Sequence, residues 1–298
     1  MLLCVNLKKA STDPPPTAGQ PTFDANASRI ACDTSGSPAV HRPSFRILGP
    51  LEVTADGCRV PVPAGKQRTL LATLLLGANQ IVSLDELTER LWDDSPPRRP
   101  RGAVHTYVTR LRQTLGRPTA GLIHTSAAGY LIEVSPADLD LIRFRELVAR
   151  ARAAGKRGDI AGESADLAEA LSLWRGPVLP DVRSDSLHRD VVPCLIEERL
   201  RALDRRHEAD LALGRHDRLI GELRALTGRH PLHERFWRHL MLALCRCGRS
   251  AEALEAYAAM SACLRDRLGV CPGPETRDLH TAILRGVPLV AVRSDSKV

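Results

Sequence analysis

The 298-residue sequence predicts a mainly α protein with small β-sheets, in two parts: a three-helix unit bracketed by short strands over residues 44–135, and an all-α repeat domain over 136–290. Three observations predict this. Residues 98–117, RRPRGAVHTYVTRLRQTLGR, hold six arginines and no carboxylate, although 26% of the chain is charged. Short runs of alternating polarity lie before and after three helical periods. Beyond Leu139 the helical period is almost continuous, and Gly214-Arg215 and Gly248-Arg249 recur 34 residues apart, the tetratricopeptide spacing.

Taken in order, residues 1–43 are rich in Pro, Ser, Thr and Ala with no sustained apolar period, and read as a disordered tail or as sequence upstream of the true start. FRILGPLEVTADGCRVPVP alternates in short runs broken at Gly49-Pro50 and at Asp56-Gly57, a hairpin signal, so a small antiparallel sheet begins near Phe45. In AGKQRTLLATLLLGAN, Leu70, Leu71, Leu74 and Leu75 have helical spacing, and Gly77 and Asn79 stop the helix. SLDELTERLW carries Ser83 and Glu86 as a capping box ahead of the apolar face Leu84, Leu87, Leu91 and Trp92.

The arginine-rich stretch is the third helix. Val104, Tyr107, Val108, Leu111 and Leu115 fall in one stripe about 100° wide. Gly102, Thr106, Thr109, Arg110 and Gln113 project from the other side, with Arg101, His105 and Arg112 on one shoulder. A narrow, basic face with short side chains suits a helix that enters a major groove and meets both phosphates and base edges. LIHTSAAGYLIEV then reads as two strands around a small-residue turn. Three helices with a closing hairpin make a winged helix-turn-helix. An arginine-rich helix also occurs as a plain solvated face or at a membrane surface; two preceding helices and a following hairpin favour DNA binding, because membrane-surface helices usually lack such a frame.

The second part is broken at Gly155, Gly158, Gly176-Pro177, Gly214, His230-Pro231, Gly248 and Pro272-Gly273-Pro274. Ala251, Ala253, Ala256, Ala258 and Ala259 supply the small side chains that closely packed repeat helices need. From Pro136 on, 27 basic residues face 24 acidic ones, too even for a second nucleic-acid surface; protein contacts are expected instead. Ser135-Pro136 reads as the joint, and a fragment of residues 44–135 is expected to fold alone.

Composition excludes several classes. The net charge of +7 favours an anionic partner. No apolar run reaches the roughly 18 residues of a membrane span, and no signal-peptide pattern opens the chain, so a cytoplasmic location is expected. Eight scattered cysteines lack CxxC spacing. PAGKQR resembles the end of a phosphate loop, but Val60 and Gln67 stand where a Gly and a Ser/Thr are required. HPLHERFWRH clusters His230, His233, Glu234 and His239 without an HExxH spacing. Cys245 and Cys247 point in different directions on a helix and read as packing residues. No enzyme activity, cofactor or metal site is expected.

QRTLLATLLLGAN, SLDELTERLW, HTYVTRLRQTLG and HTSAAGYLI resemble the OmpR-type winged-helix domain. With FRILGPLEV before them, and DLDLIRFRELVARARAAGKRGD, LSLWRGPVLPDV and the HPLHERFW to LGVCPGPETRDLH run after them, the chain resembles the Streptomyces antibiotic regulatory protein family over residues 45–290. The resemblance implies a helical bacterial transcriptional activation domain over 136–290, with a tail over 291–298. It also implies an activator of antibiotic or other secondary-metabolite gene clusters. Two protomers would bind direct repeats in promoter DNA, recruit RNA polymerase through its sigma subunit, and work in the nucleoid. It looks like the family's small form, without an ATPase extension. The contacts expected are Arg98, Arg99 and Arg101 on phosphates at the helix start, and Thr106, Thr109, Arg110 and Arg112 in the groove. Thr125 and Tyr130 match the family's wing, where small residues replace an intervening basic one; Tyr130 reads equally as hairpin core. The competing reading is a tetratricopeptide-type scaffold whose basic domain binds RNA or protein.

Overall fold

The computed structural model describes residues 43–117 and 119–287; the expected tails, up to residue 42 and from 291 on, lie outside them. Strands β1 (Ser44–Arg46), β2 (Glu52–Ala55) and β3 (Cys58–Arg59) form an antiparallel meander with Phe45 opposite Val53. The β2–β3 turn has positive φ at Asp56 (51°) and Gly57 (76°), the twist a two-residue hairpin demands. Helix α1 (Lys66–Leu76) buries Leu70, Leu71, Leu74 and Leu75. Helix α2 (Leu84–Trp92) starts where the Ser83 hydroxyl accepts the Glu86 N–H at 3.1 Å. Helix α3 (Pro100–Leu115) buries Val104, Val108, Leu111 and Leu115.

The wing has a third strand. Besides β5 (Ile123–Thr125) and β6 (Gly129–Ile132), the two-residue β4 (Val82–Ser83) pairs with β6, giving the order β4-β6-β5. Two residues are too few to show alternation. The close approach dictates one residue: a Cβ on Gly129 would lie 2.0 Å from the Val82 carbonyl oxygen.

Eight helices follow among the described residues: α4 (Asp140–Lys156), α5 (Ile160–Ser172), α6 (Asp185–Asp190), α7 (Val192–Ala212), α8 (His216–Arg229), α9 (Glu234–Arg246), α10 (Ser250–Leu268) and α11 (Pro274–Leu284). The glycine spacing marks a repeated helix end. Gly158, Gly214 and Gly248 sit at φ of 79°, 76° and 74°. The next N–H reaches five residues back each time: Asp159 to Ala154, Arg215 to Asp210 and Arg249 to Leu244, at 3.0, 3.0 and 2.9 Å. This is the 6→1 bond of a left-handed C-cap. Three helix pairs, α4–α5, α7–α8 and α9–α10, therefore turn the same way.

The joint near Ser135-Pro136 is not a tether, because the two parts share hydrogen bonds and a core. A 3₁₀ turn (Pro136–Asp138) leads directly into Leu139, which bridges to Phe45 in β1. The buried Asp140 carboxylate accepts N–H bonds from Ile47 (2.8 Å) and Leu48 (3.0 Å). The loop after α5 returns to the same place: Arg175 N–H donates to Leu48 C=O at 2.8 Å, Leu179 N–H to Gly49 C=O at 2.9 Å, and Asp181 accepts the Leu51 N–H and pairs with Arg68. One apolar core runs without a break from Phe45 to Ala202; a second, around Leu223, Met241 and Leu244, holds α8 to α11. A chain cut at 135 would lose the acceptor of the Ile47 and Leu48 amides and every core residue beyond it, from Leu139 to Ala202.

Candidate nucleic-acid interface

Helix α3 rests on α1 and α2 through its four buried apolar residues, so its other face is fixed outward. Gly102, Thr106, Thr109, Arg110 and Gln113 are all exposed, as the period predicts. The two threonine hydroxyls donate back into the helix, Thr106 to Gly102 C=O at 2.9 Å and Thr109 to His105 C=O at 3.0 Å. Their oxygens stay available as acceptors. The Arg110 guanidinium lies 5.9 Å over the half-buried Tyr107 ring, which itself leans on Trp92. A stacked guanidinium loses less freedom when it binds.

At the start of α3, Pro100 occupies the first turn and no side chain caps the free N–H groups. Arg98, Arg99 and Arg101 are exposed around this positive end, and none has a carboxylate partner among the described residues. Anions favour such an end through the helix dipole and unpaired donors. Arg117, at the far end of the same stretch, is exposed and equally free; the sequence reading did not place it in the interface.

Two expected contacts look different in place. Arg112 is half-buried and donates to Ile123 C=O (2.8 Å) and the Thr125 hydroxyl (3.0 Å), so it braces α3 against β5 while Thr125 is exposed at the wing. Tyr130 is only 5% exposed and packs in the wing core, with its hydroxyl 3.2 Å from His105 Nδ1. It positions the wing against α3. Its burial favours the hairpin-core reading of Tyr130 over a direct contact.

The histidine-rich stretch does not converge on one point. Glu234 accepts from Gly273 N–H and the Thr276 hydroxyl, and His233 stacks on Phe236 at 4.1 Å. His239 is buried beside Asp204, whose other carboxylate oxygen is held by Arg235 at 2.6 Å. No described helix is long and apolar enough to cross a membrane.

Comparison with known proteins agrees with this division. Residues 63–132 match the family model described as "Transcriptional regulatory protein, C terminal", and residues 139–284 match "Bacterial transcriptional activator domain". The chain is 38% identical to regulatory protein DnrI of Streptomyces peucetius, over 82% of this chain and 93% of that one. It is 39% identical to regulatory protein AfsR of Streptomyces coelicolor over 83% of this chain but only 25% of that much longer one. The solved structure of Mycobacterium tuberculosis EmbR, in complex with a low-affinity phosphopeptide, superposes with a TM-score of 0.79 at 37% identity, covering 84% of this chain and 67% of that one. An OmpR-type winged helix with an acid-free helix face, joined to a helical activator domain and matched across both by these regulators, makes the chain a member of the Streptomyces antibiotic regulatory protein family of transcriptional regulators.

Proposed function

We propose that the protein is a sequence-specific double-stranded-DNA-binding activator of an antibiotic or other secondary-metabolite gene cluster. Helix α3 enters the major groove with Thr106, Thr109 and Arg110 toward base edges and phosphates. Arg98, Arg99 and Arg101 hold the backbone at its start, and Thr125 meets the phosphate beside the wing. Two protomers bind direct repeats about one DNA turn apart, self-associate there, and recruit RNA polymerase through its sigma subunit. The work is done in the cytoplasm, at the nucleoid, and no cofactor or catalysis enters it. The observation that carries this reading is the outward face of α3, where the arginines outside the Arg112 brace have no carboxylate partner among the described residues.

Fluorescence anisotropy against promoter fragments from the neighbouring gene cluster, the same fragments shuffled, and RNA of equal length tests it. Sequence-specific readout predicts a preference of at least about 10³ for one promoter fragment at physiological salt. Equal affinity for shuffled DNA or for RNA would favour the scaffold reading instead.

A further inference from the structure

Outside the α3 face, a half-open groove of about 1100 Å³ lies between α4 and α7, floored by α5. Its walls are two stripes. On α4, Arg145, Val148, Arg152 and Lys156 recur at intervals of three and four and so share one face. Opposite them on α7 stand Glu198, Arg201 and Arg205. Both wall and floor carboxylates are already engaged: Glu198 is bidentate to Arg145 at 2.8 and 3.0 Å, and the buried Glu163 is held by Arg205. Arg152 and Lys156 are exposed and have no carboxylate partner among the described residues. Between these cations the half-buried Val148 offers an apolar contact.

We propose that this groove receives an acidic amphipathic helix of a protein partner. The α4 stripe spans twelve residues, about 16 Å from first to last, which matches three turns of a docked helix. A half-open trough cannot enclose the 70–90% of surface that a small ligand typically buries, but a helix needs only one face covered. The excess of cations with no acid left to pair selects negative charge on the incoming rim. The chain's own ends are poor occupants, since residues 1–42 and 288–298 each carry more basic than acidic side chains. The inference goes beyond the DNA-binding reading and does not rest on it, because none of the groove residues is a candidate DNA contact.

The test uses the full chain and a fluorescein-labelled peptide of about 14 residues, with leucines along one helical face and glutamates elsewhere. A shuffled version of the same composition and a lysine-for-glutamate version serve as controls. The leucine–glutamate helix should bind best, and Arg152→Glu with Lys156→Glu should weaken it at least about tenfold. Val148→Glu, at a half-buried position, should weaken it as well. Duplex DNA affinity should stay unchanged in the double variant. Undiminished peptide binding by both variants, or equal binding of the shuffled peptide, would overturn the proposal. Full displacement of the peptide by decanoate would reassign the groove to a small amphiphile. A fall in duplex affinity would make it part of a nucleic-acid surface, and loss of self-association would assign it to a second copy of the chain.

Discussion

Arginine does opposite work in the two halves of the molecule. In the helical half much of it is paired, Arg143 with Glu169, Arg145 with Glu198, Arg150 with Asp166, Arg215 with Asp210, Arg235 with Asp204 and Arg249 with Glu252, and Arg152 in the α4–α7 groove is an exception. Around α3 it is free, except where Arg112 spends its donors on the wing. The residue type is the same, and the supply of carboxylates decides its role. Paired arginines neutralise acids and lock helices together, whereas unpaired ones leave a field that extends about 8–10 Å into solution at ordinary ionic strength.

The comparison can be broken most severely at Arg205. Its partner Glu163 is 1% exposed, so Arg205→Ala strands a buried carboxylate and should cost about 3 kcal/mol of stability. DNA affinity should not change. Urea unfolding and anisotropy on the same sample check both halves of that statement. Arg110→Ala should do the reverse. A loss of about 1–3 kcal/mol in specific binding is expected if the side chain reads a base, with stability within about 0.5 kcal/mol of the parent. If all sequences weaken alike and the salt slope falls by about one, Arg110 holds a phosphate. Arg99→Ala and Arg101→Ala are expected to show only that second, smaller signature.

A third kind of group sharpens the contrast, one whose charged form burial opposes. Asp204 and His239 face each other at 3.5 Å, too far for a good hydrogen bond. Burial pushes Asp204 up to about 6 and pushes His239 down to about 3. Between pH 4 and 6 the folded chain therefore holds a proton on Asp204 that the unfolded chain has released, so this group's contribution falls as pH rises. His239 works the other way: below about pH 6.5 the unfolded imidazole takes up a proton that the folded one refuses until about pH 3, so its contribution grows as pH rises. The slopes oppose each other. Asp204→Asn removes one of them, and its melting temperature should climb more steeply from pH 4 to 6.5 than that of the parent. Parallel melting curves would show that Asp204 does not titrate in this range.

Much of this was legible in the residues. The leucine spacing of α1, the Ser83 cap, the Asp56-Gly57 turn and the outward face of α3 are all local, and each stands where the pattern puts it. Gly158 could have been grouped with Gly214 and Gly248, since the three share one helix-ending bond. What pattern reading missed spans long separations. Asp140 is 93 residues from Ile47, and no period of 2 or 3.6 registers such a pairing. Its one local sign is an acid between Leu139 and Leu141, on a side of the helix that is otherwise apolar. The Arg112 brace was missed for a related reason: it depends on the backbone of β5, which leaves no trace in composition.

The clasp at Asp140 turns the two halves into a crank, not a pair of beads on a string. With β1 and α4 fastened through the Ile47 and Leu48 amides, the helical half must rotate about the duplex axis in step with α3. On the proposed DNA-bound state, its outer surface then occupies one angular sector of the double helix. Moving the operator by about 5 base pairs carries that sector to the far side of the DNA, and moving it by about 10.5 brings it back. Promoter output should follow that period in the spacer length.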